Sequence, residues 1–147
     1  MTVVVTGASG FIGGRLVHAL HERGCKVWGC DTNWLPHADA LPLAKRLSPD
    51  ELLRTIESRK HAIGYVYHFG AVSDSECSDA ARLKEANVKA TINLYLACRN
   101  AKVPRFIYAS SASTYGDGAN GFGTDPKTTR SLRPLSHTER SRSRAVC

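Results

Sequence analysis

Long apolar runs are missing from this 147-residue sequence. No stretch approaches the roughly 18 residues a membrane-spanning helix needs. The amino terminus has no charged segment ahead of its apolar residues, so no signal peptide is expected and the expected location is cytoplasmic. Paired cysteines are also lacking. Cys25, Cys30, Cys77, Cys98 and Cys147 are odd in number and scattered, with no Cys-x-x-Cys to hold zinc or form a redox dithiol, so they are expected to be reduced thiols and no metal site is expected. An excess of basic charge is lacking too, except at one end. Residues 1–126 carry 14 Lys/Arg against 12 Asp/Glu, whereas residues 127–147 carry six against one. The net charge of +7 therefore belongs mostly to the tail, which has no interleaved aromatics. Nucleic acid is excluded as a partner on that basis, and the length suits one domain.

What is present is a pattern at the amino terminus. Val3, Val4 and Val5 form a short β-branched run, and Thr6-Gly7-Ala8-Ser9-Gly10-Phe11-Ile12-Gly13 follows at once, with helical periodicity behind it. The order is strand, glycine turn, helix. Gly7 suits the tight turn, Gly10 lets backbone approach a pyrophosphate, and Gly13 lets the helix lie close to the strand. The start of the helix offers free N–H groups and the positive end of its dipole to phosphates. A second strand at Lys26–Cys30 ends on Asp31, 18 residues past Gly13, where an acid can accept hydrogen bonds from an adenosine ribose. The alternative is a structural turn with an unrelated Asp.

The first helix is expected over residues 11–22, burying Ile12, Leu16, Val17 and Leu20, with Gly24 as its stop. Between residues 32 and 47 Pro36 and Pro42 break the pattern, leaving residues 38–44 for a short third strand. Ser48-Pro49-Asp50-Glu51 begins a helix with a capping box, and Leu52, Leu53 and Ile56 form its buried face. Residues 63–69 alternate as a fourth strand that breaks at Gly70-Ala71. A long helix over residues 78–100 places Leu83, Asn87, Ala90, Leu94, Ala97 and Cys98 near one stripe. Asn87 is the polar member, and either ties the helix to the loop after the fourth strand or lies partly exposed. A fifth strand over residues 105–109 opens into Ser110-Ser111-Ala112-Ser113-Thr114-Tyr115-Gly116, and residues 116–123 form a surface loop. This succession predicts an α/β fold with a doubly wound parallel sheet of about five strands. Its ligands would sit at the carboxyl ends of those strands, where residues 7–13, 31, 68–73 and 110–115 all fall.

Together, Thr6-Gly7-x-x-Gly10-Phe11-Ile12-Gly13, Asp31, His68-Phe69-Gly70-Ala71, Asn87 and Ser110-Ser111-Ala112-Ser113-Thr114-Tyr115-Gly116 resemble the extended short-chain dehydrogenases, the NAD-dependent epimerase/dehydratase family. The resemblance covers residues 2 to about 135, a partial Rossmann portion without a carboxyl-terminal substrate domain. Within the family, His68-x-Gly70-Ala71-x-Ser73, the run from Tyr108 to Gly118, and Gly121-Phe122 before Leu132-Arg133-Pro134-Leu135 look most like ADP-glyceromanno-heptose 6-epimerases. A nucleotide-sugar dehydratase or 4-epimerase is the other enzyme reading. The resemblance implies cofactor contacts, to NAD or NADP, at Gly7, Gly10, Phe11, Ile12, Gly13, Asp31, Gly70, Ala71 and Asn87. It implies substrate contacts at Ser73 and Ser111, with a nucleotide sugar as the partner of a full-length relative, whose homo-oligomerisation stays open. Ser111 matches the hydroxyl that holds the substrate oxygen during transient oxidation. Read without the family, residues 110–114 are a hydroxyl cluster satisfying its own backbone. His68 is expected to be a packing residue rather than a base, and Asp31 favours NAD because a carboxylate repels a 2′-phosphate.

In that family a Pro-Leu segment like Pro134-Leu135 runs into Asn-x-Tyr-Gly-x-Ser-Lys. Here Thr138 stands where the Tyr belongs and Arg142 where the Lys belongs. Thr cannot supply a phenolate, and Arg does not give up its proton near neutrality. The chain is therefore expected to be catalytically incomplete. Residues 136–147 have no apolar periodicity and are expected to be disordered. Two accounts fit: an epimerase frameshifted or stopped after Leu135, or a genuine short module that binds a dinucleotide without turning it over. The first is favoured because a half sheet leaves an edge strand open.

Overall fold

The computed structural model describes residues 1–58, 62–72, 79–132, 134 and 141. They fall into two compact units, one of residues 1–70 and 93–109, the other of residues 71–92 and 110–147.

The first unit is built on five parallel strands: β1 (Thr2–Thr6), β2 (Lys26–Cys30), β3 (Lys45–Leu47), β4 (Ile63–His68) and β5 (Arg105–Tyr108), in the order β3-β2-β1-β4-β5. β1 is central, with Val4 facing Trp28 on one side and Val66 on the other. The unbroken Val3-Val4-Val5 run has its reason here: a central parallel strand is covered on both faces, so successive side chains are all buried. Val3, Val5 and Val27 pack with Val17 and Leu20 of α1 (Phe11–Glu22) on one face. On the other, Val4, Trp28 and Val66 pack with Leu52 and Ile56 of α2 (Pro49–Glu57) and with Leu94, Ala97 and Cys98. Burial pushes the thiols of Cys30 and Cys98 up to about 12, which leaves them as apolar filling.

The bounds of α1 agree with the periodicity, and α2 begins with the expected capping box. Ser48 accepts from the Glu51 N–H, and the Glu51 carboxylate accepts from the Ser48 N–H at 2.7 Å. Two expectations fail. Ile12 is 61% exposed, because α1 approaches the sheet through Gly13 and Gly14 and its buried face continues through Val17 and Leu20. No strand occupies residues 38–44. Pro36–Ala40 is a 3-10 turn, and β3 starts only at Lys45, beyond Pro42, which lacks the N–H a ladder requires.

In the second unit the expected long helix is three consecutive segments: α3 (Ala80–Leu83), a π-helical stretch (Lys84–Lys89) and the start of α4 (Ala90–Asn100). The wider π turn moves the buried stripe one residue on. Thr91 is buried and Ala90 exposed, the reverse of a uniform 3.6-residue reading. A 3-10 turn (Ala112–Tyr115) follows Ser111. A short helix, α5 (Pro126–Ser131), lies in a region the periodicity left unassigned. Asp125 caps it through the N–H groups of Lys127 and Thr128, with Pro126 in its first turn. Of the tail at 136–147 only Ser141 is among the described residues. No helix among the described residues is long and apolar enough to cross a membrane.

Candidate functional site

The glycine turn in the first unit is shaped by close backbone approach. Gly7 has φ of +67°, and a Cβ there would stand 2.9 Å from the Gly70 nitrogen. At Gly10 a Cβ would meet the Gly7 carbonyl oxygen at 3.2 Å, and at Gly13 it would lie 2.0 Å from that same oxygen. No L side chain fits at Gly13 without moving the helix. Gly10 is the N-cap of α1 and contributes no side chain, and the first turn holds no acidic residue. The first N–H groups of a helix lack intrahelical partners, so this end is left positively polarised. Phe11 and Ile12, both exposed, form the opening turn.

Asp31 follows β2 directly. Its Oδ2 accepts from the Ser9 N–H at 2.9 Å and its Oδ1 from the Asn33 N–H at 3.2 Å. Each oxygen keeps a further lone pair, so the carboxylate is aimed by the backbone while still able to accept from a ligand hydroxyl. Thr6 connects the glycine turn to the end of β4. Its hydroxyl accepts from the Gly70 N–H at 3.0 Å and shares a 2.6 Å hydrogen bond with His68 Nδ1. His68 is buried between the rings of Phe106 and Tyr108, in the packing position expected of it. The structure thus brings Gly7, Gly10, Gly13, Asp31 and Gly70 together in one unit. Ser9 and Thr6 take part as well. Thr6 belongs to the motif quoted for the resemblance and Ser9 does not, but the partners of both, 62 and 22 residues away, are known only from the fold.

Ala71, Asn87 and Ser111 lie in the second unit, and Ser73 lies outside the described residues. Asn87 has no exposed surface. Its Oδ1 accepts from the Val72 N–H at 2.7 Å, and its Nδ2 donates to the Val72 carbonyl at 3.0 Å and to the Ser141 hydroxyl at 2.9 Å. It therefore ties the π stretch to the loop after β4. Thr91 donates to the Asn87 carbonyl at 2.7 Å, supplying a donor within the irregular turn.

Ser111 caps the 3-10 turn. Its hydroxyl accepts from the Ser113 N–H at 3.3 Å and lies 2.6 Å from the Ser113 hydroxyl, while Thr114 donates to the Ser111 carbonyl. The hydroxyls serve their own backbone, as the family-independent reading held. Ser111 and Thr114 also line a cavity of about 370 Å³, together with Ser110, Tyr115, Thr124 and Thr129. Such a volume suits a small molecule, and a wall rich in hydroxyls suits a hydroxylated one.

The family model for the NAD dependent epimerase/dehydratase family matches residues 3–141. Similar solved structures include MoeE5 in complex with UDP-glucose and NAD, at 31% identity and a TM-score of 0.81, covering 99% of this chain and 47% of that one. The UDP-glucose 4-epimerase of Thermus thermophilus in complex with NAD is 26% identical with a TM-score of 0.80, covering 97% of this chain and 48% of that one. The ADP-L-glycero-D-manno-heptose-6-epimerase of Helicobacter pylori is 24% identical with a TM-score of 0.80, covering 98% and 48%, a likeness that shows the fold alone. The chain spans about half the length of these proteins.

Proposed function

Because this chain belongs to the NAD dependent epimerase/dehydratase family, we propose that it is the dinucleotide-binding portion of a nucleotide-sugar epimerase. The observation that carries the reading is the pairing of Ser9 N–H with Asp31 beneath a glycine cradle that admits no side chain at Gly13. The residues fit an NAD molecule. Gly10 would let backbone approach the pyrophosphate, with Gly7 making the turn and Gly13 letting α1 lie close to it; the start of α1 would stabilise the phosphate charge, and Asp31 would accept from the adenosine ribose. When bound, NAD supplies a hydride acceptor for a sugar carbinol. Ser111 and the cavity around it would hold the hydroxylated group of the substrate, and Asn87 would keep Ala71 and Val72 in place after β4. The motifs at residues 68–73 and 108–118 favour an ADP-glyceromanno-heptose as the sugar nucleotide. Thr138 and Arg142, where the family has Tyr and Lys, leave the chain without a group to carry the substrate proton. It binds the dinucleotide and does not turn a sugar over by itself.

Titration of NADH fluorescence tests this reading. Saturable binding is expected, with NADPH at least about tenfold weaker, since the Asp31 carboxylate opposes a 2′-phosphate. Asp31→Ala should weaken NADH by about tenfold or more, as expected for loss of a hydrogen bond to a charged acceptor. Absence of saturable NADH binding, or equal binding by Asp31→Ala, would overturn it.

A further inference from the structure

Ser9 is 1% exposed and all of its polar groups are engaged by residues 31–37. Its N–H donates to Asp31, its Oγ accepts from the Leu35 N–H at 2.7 Å, and its carbonyl lies 2.9 Å from His37 Nε2. A carbonyl has no proton to give, so His37 is the donor and carries a hydrogen on Nε2. The loop between β2 and β3 therefore runs across the glycine turn as a strap, with Ser9 as its point of attachment.

The far end of the strap is tied to the sheet. Arg46 on β3 pairs with Asp39 at 2.8 Å and lies 4.9 Å above the Trp34 ring. Trp34 in turn packs where a Cβ on Gly29 would stand, 2.9 Å away. The Ser9 carbonyl held by His37 and the Ser9 N–H held by Asp31 belong to the two successive peptide units that meet at the Ser9 Cα, so with both ends of the strap held the Ser9 backbone torsions cannot change without straining one of these contacts. Those torsions couple the direction of the Ser9 N–H to the carbonyl that His37 holds.

We propose that His37 is a positioning residue for the ribose-binding carboxylate, acting through Ser9 to hold Asp31 in the orientation that accepts the adenosine 2′-hydroxyl. This rests on the dinucleotide reading above and adds to it the loop that decides how well the ribose is read. His37 itself is an exposed side chain, so its replacement removes the contact without opening a core.

The test compares NADH with its analogue lacking the adenosine 2′-hydroxyl, on the full chain and on His37→Ala and His37→Gln. The wild-type chain should prefer NADH by about tenfold or more, the effect of one hydrogen bond to a carboxylate. His37→Ala should reduce the preference to less than about threefold. His37→Gln, whose amide can still donate, should restore it, with unfolding midpoints close to one another in all three proteins. A full preference in His37→Ala, or a His37→Gln chain as deficient as His37→Ala, would overturn the proposal. Failure of the wild-type chain to bind NADH at all removes the dinucleotide reading and this inference together, whereas NADH binding with an unaltered preference removes this inference alone.

Discussion

The two units hold their candidate residues by different means. Around the glycine turn the constraint is steric: Gly7 and Gly13 leave no room for a Cβ and Gly10 leaves little, and the neighbouring strand is buried on both faces. Around Asn87 and Ser111 the constraint is polar. A single buried amide joins Val72 and Ser141, a carboxylate caps α5, and hydroxyls close a 3-10 turn. A steric site tolerates almost no added atom, while a polar site tolerates change until a buried partner is left unpaired.

The most severe way to break the first arrangement is Gly13→Ala. Its Cβ would meet backbone rather than a flexible side chain, at 2.0 Å, so α1 must shift off the turn. A loss of at least about 3 kcal/mol is expected in urea unfolding, with NADH binding abolished. A stable, NADH-binding Gly13→Ala chain would show that the helix has room the structure denies.

Asn87→Ala attacks the second arrangement. It leaves both backbone groups of Val72 without the amide and opens space in a fully buried position. A loss of about 2–4 kcal/mol is expected, and hydrogen exchange at the Val72 amide should accelerate. If exchange there is unaltered, the polar hub does not hold that loop.

The smallest effect compares the two helix caps in acid. Hydrogen bonds from Ser48 hold the Glu51 carboxyl below its ordinary 4.5, and bonds from Thr128 hold that of Asp125 below 3.8. In each case the folded state prefers the charged form. The stabilisation is therefore complete above the ordinary value and disappears as pH falls through the lowered one. The side-chain resonances should titrate below 4.5 and 3.8 respectively, and Ser48→Ala, which removes the hydroxyl but keeps the Ser48 N–H that lowers Glu51 most, should return Glu51 only part of the way toward its ordinary value without moving Asp125. A Glu51 resonance that does not respond at all to Ser48→Ala would show that the Ser48 hydroxyl contributes nothing to holding the carboxylate charged.

The same contrast explains what could be read in advance. The glycine turn, the Val3–Val5 strand, α1 and the Ser48 cap were legible, because each depends on residues within a few positions of one another. β3 was misplaced, because Pro42 delays the ladder to Lys45, whose partner lies on β2. The exchange of Ala90 for Thr91 followed from a π turn, which periodicity at 3.6 residues cannot register. The short α5 carried a signal, Asp125 before Pro126, but its six residues are too few to show a helical period. Ser9 and His37 carried none, since nothing local distinguishes a serine whose one acceptor and two donors come from a strap more than 20 residues on.

The sequence by itself determined the order of the five strands and of α1 and α2 between them, the glycine turn that opens α1, and the acid that follows β2. Local sterics and periodicity act within one or two turns of chain, so neighbouring residues suffice to encode them. Tertiary structure alone decided which side chains aim those elements. It set Ser9 against Asp31, Thr6 against His68, and Asn87 between Val72 and Ser141, because a hydrogen bond forms only where folding brings donor and acceptor within about 3 Å, whatever their separation along the chain.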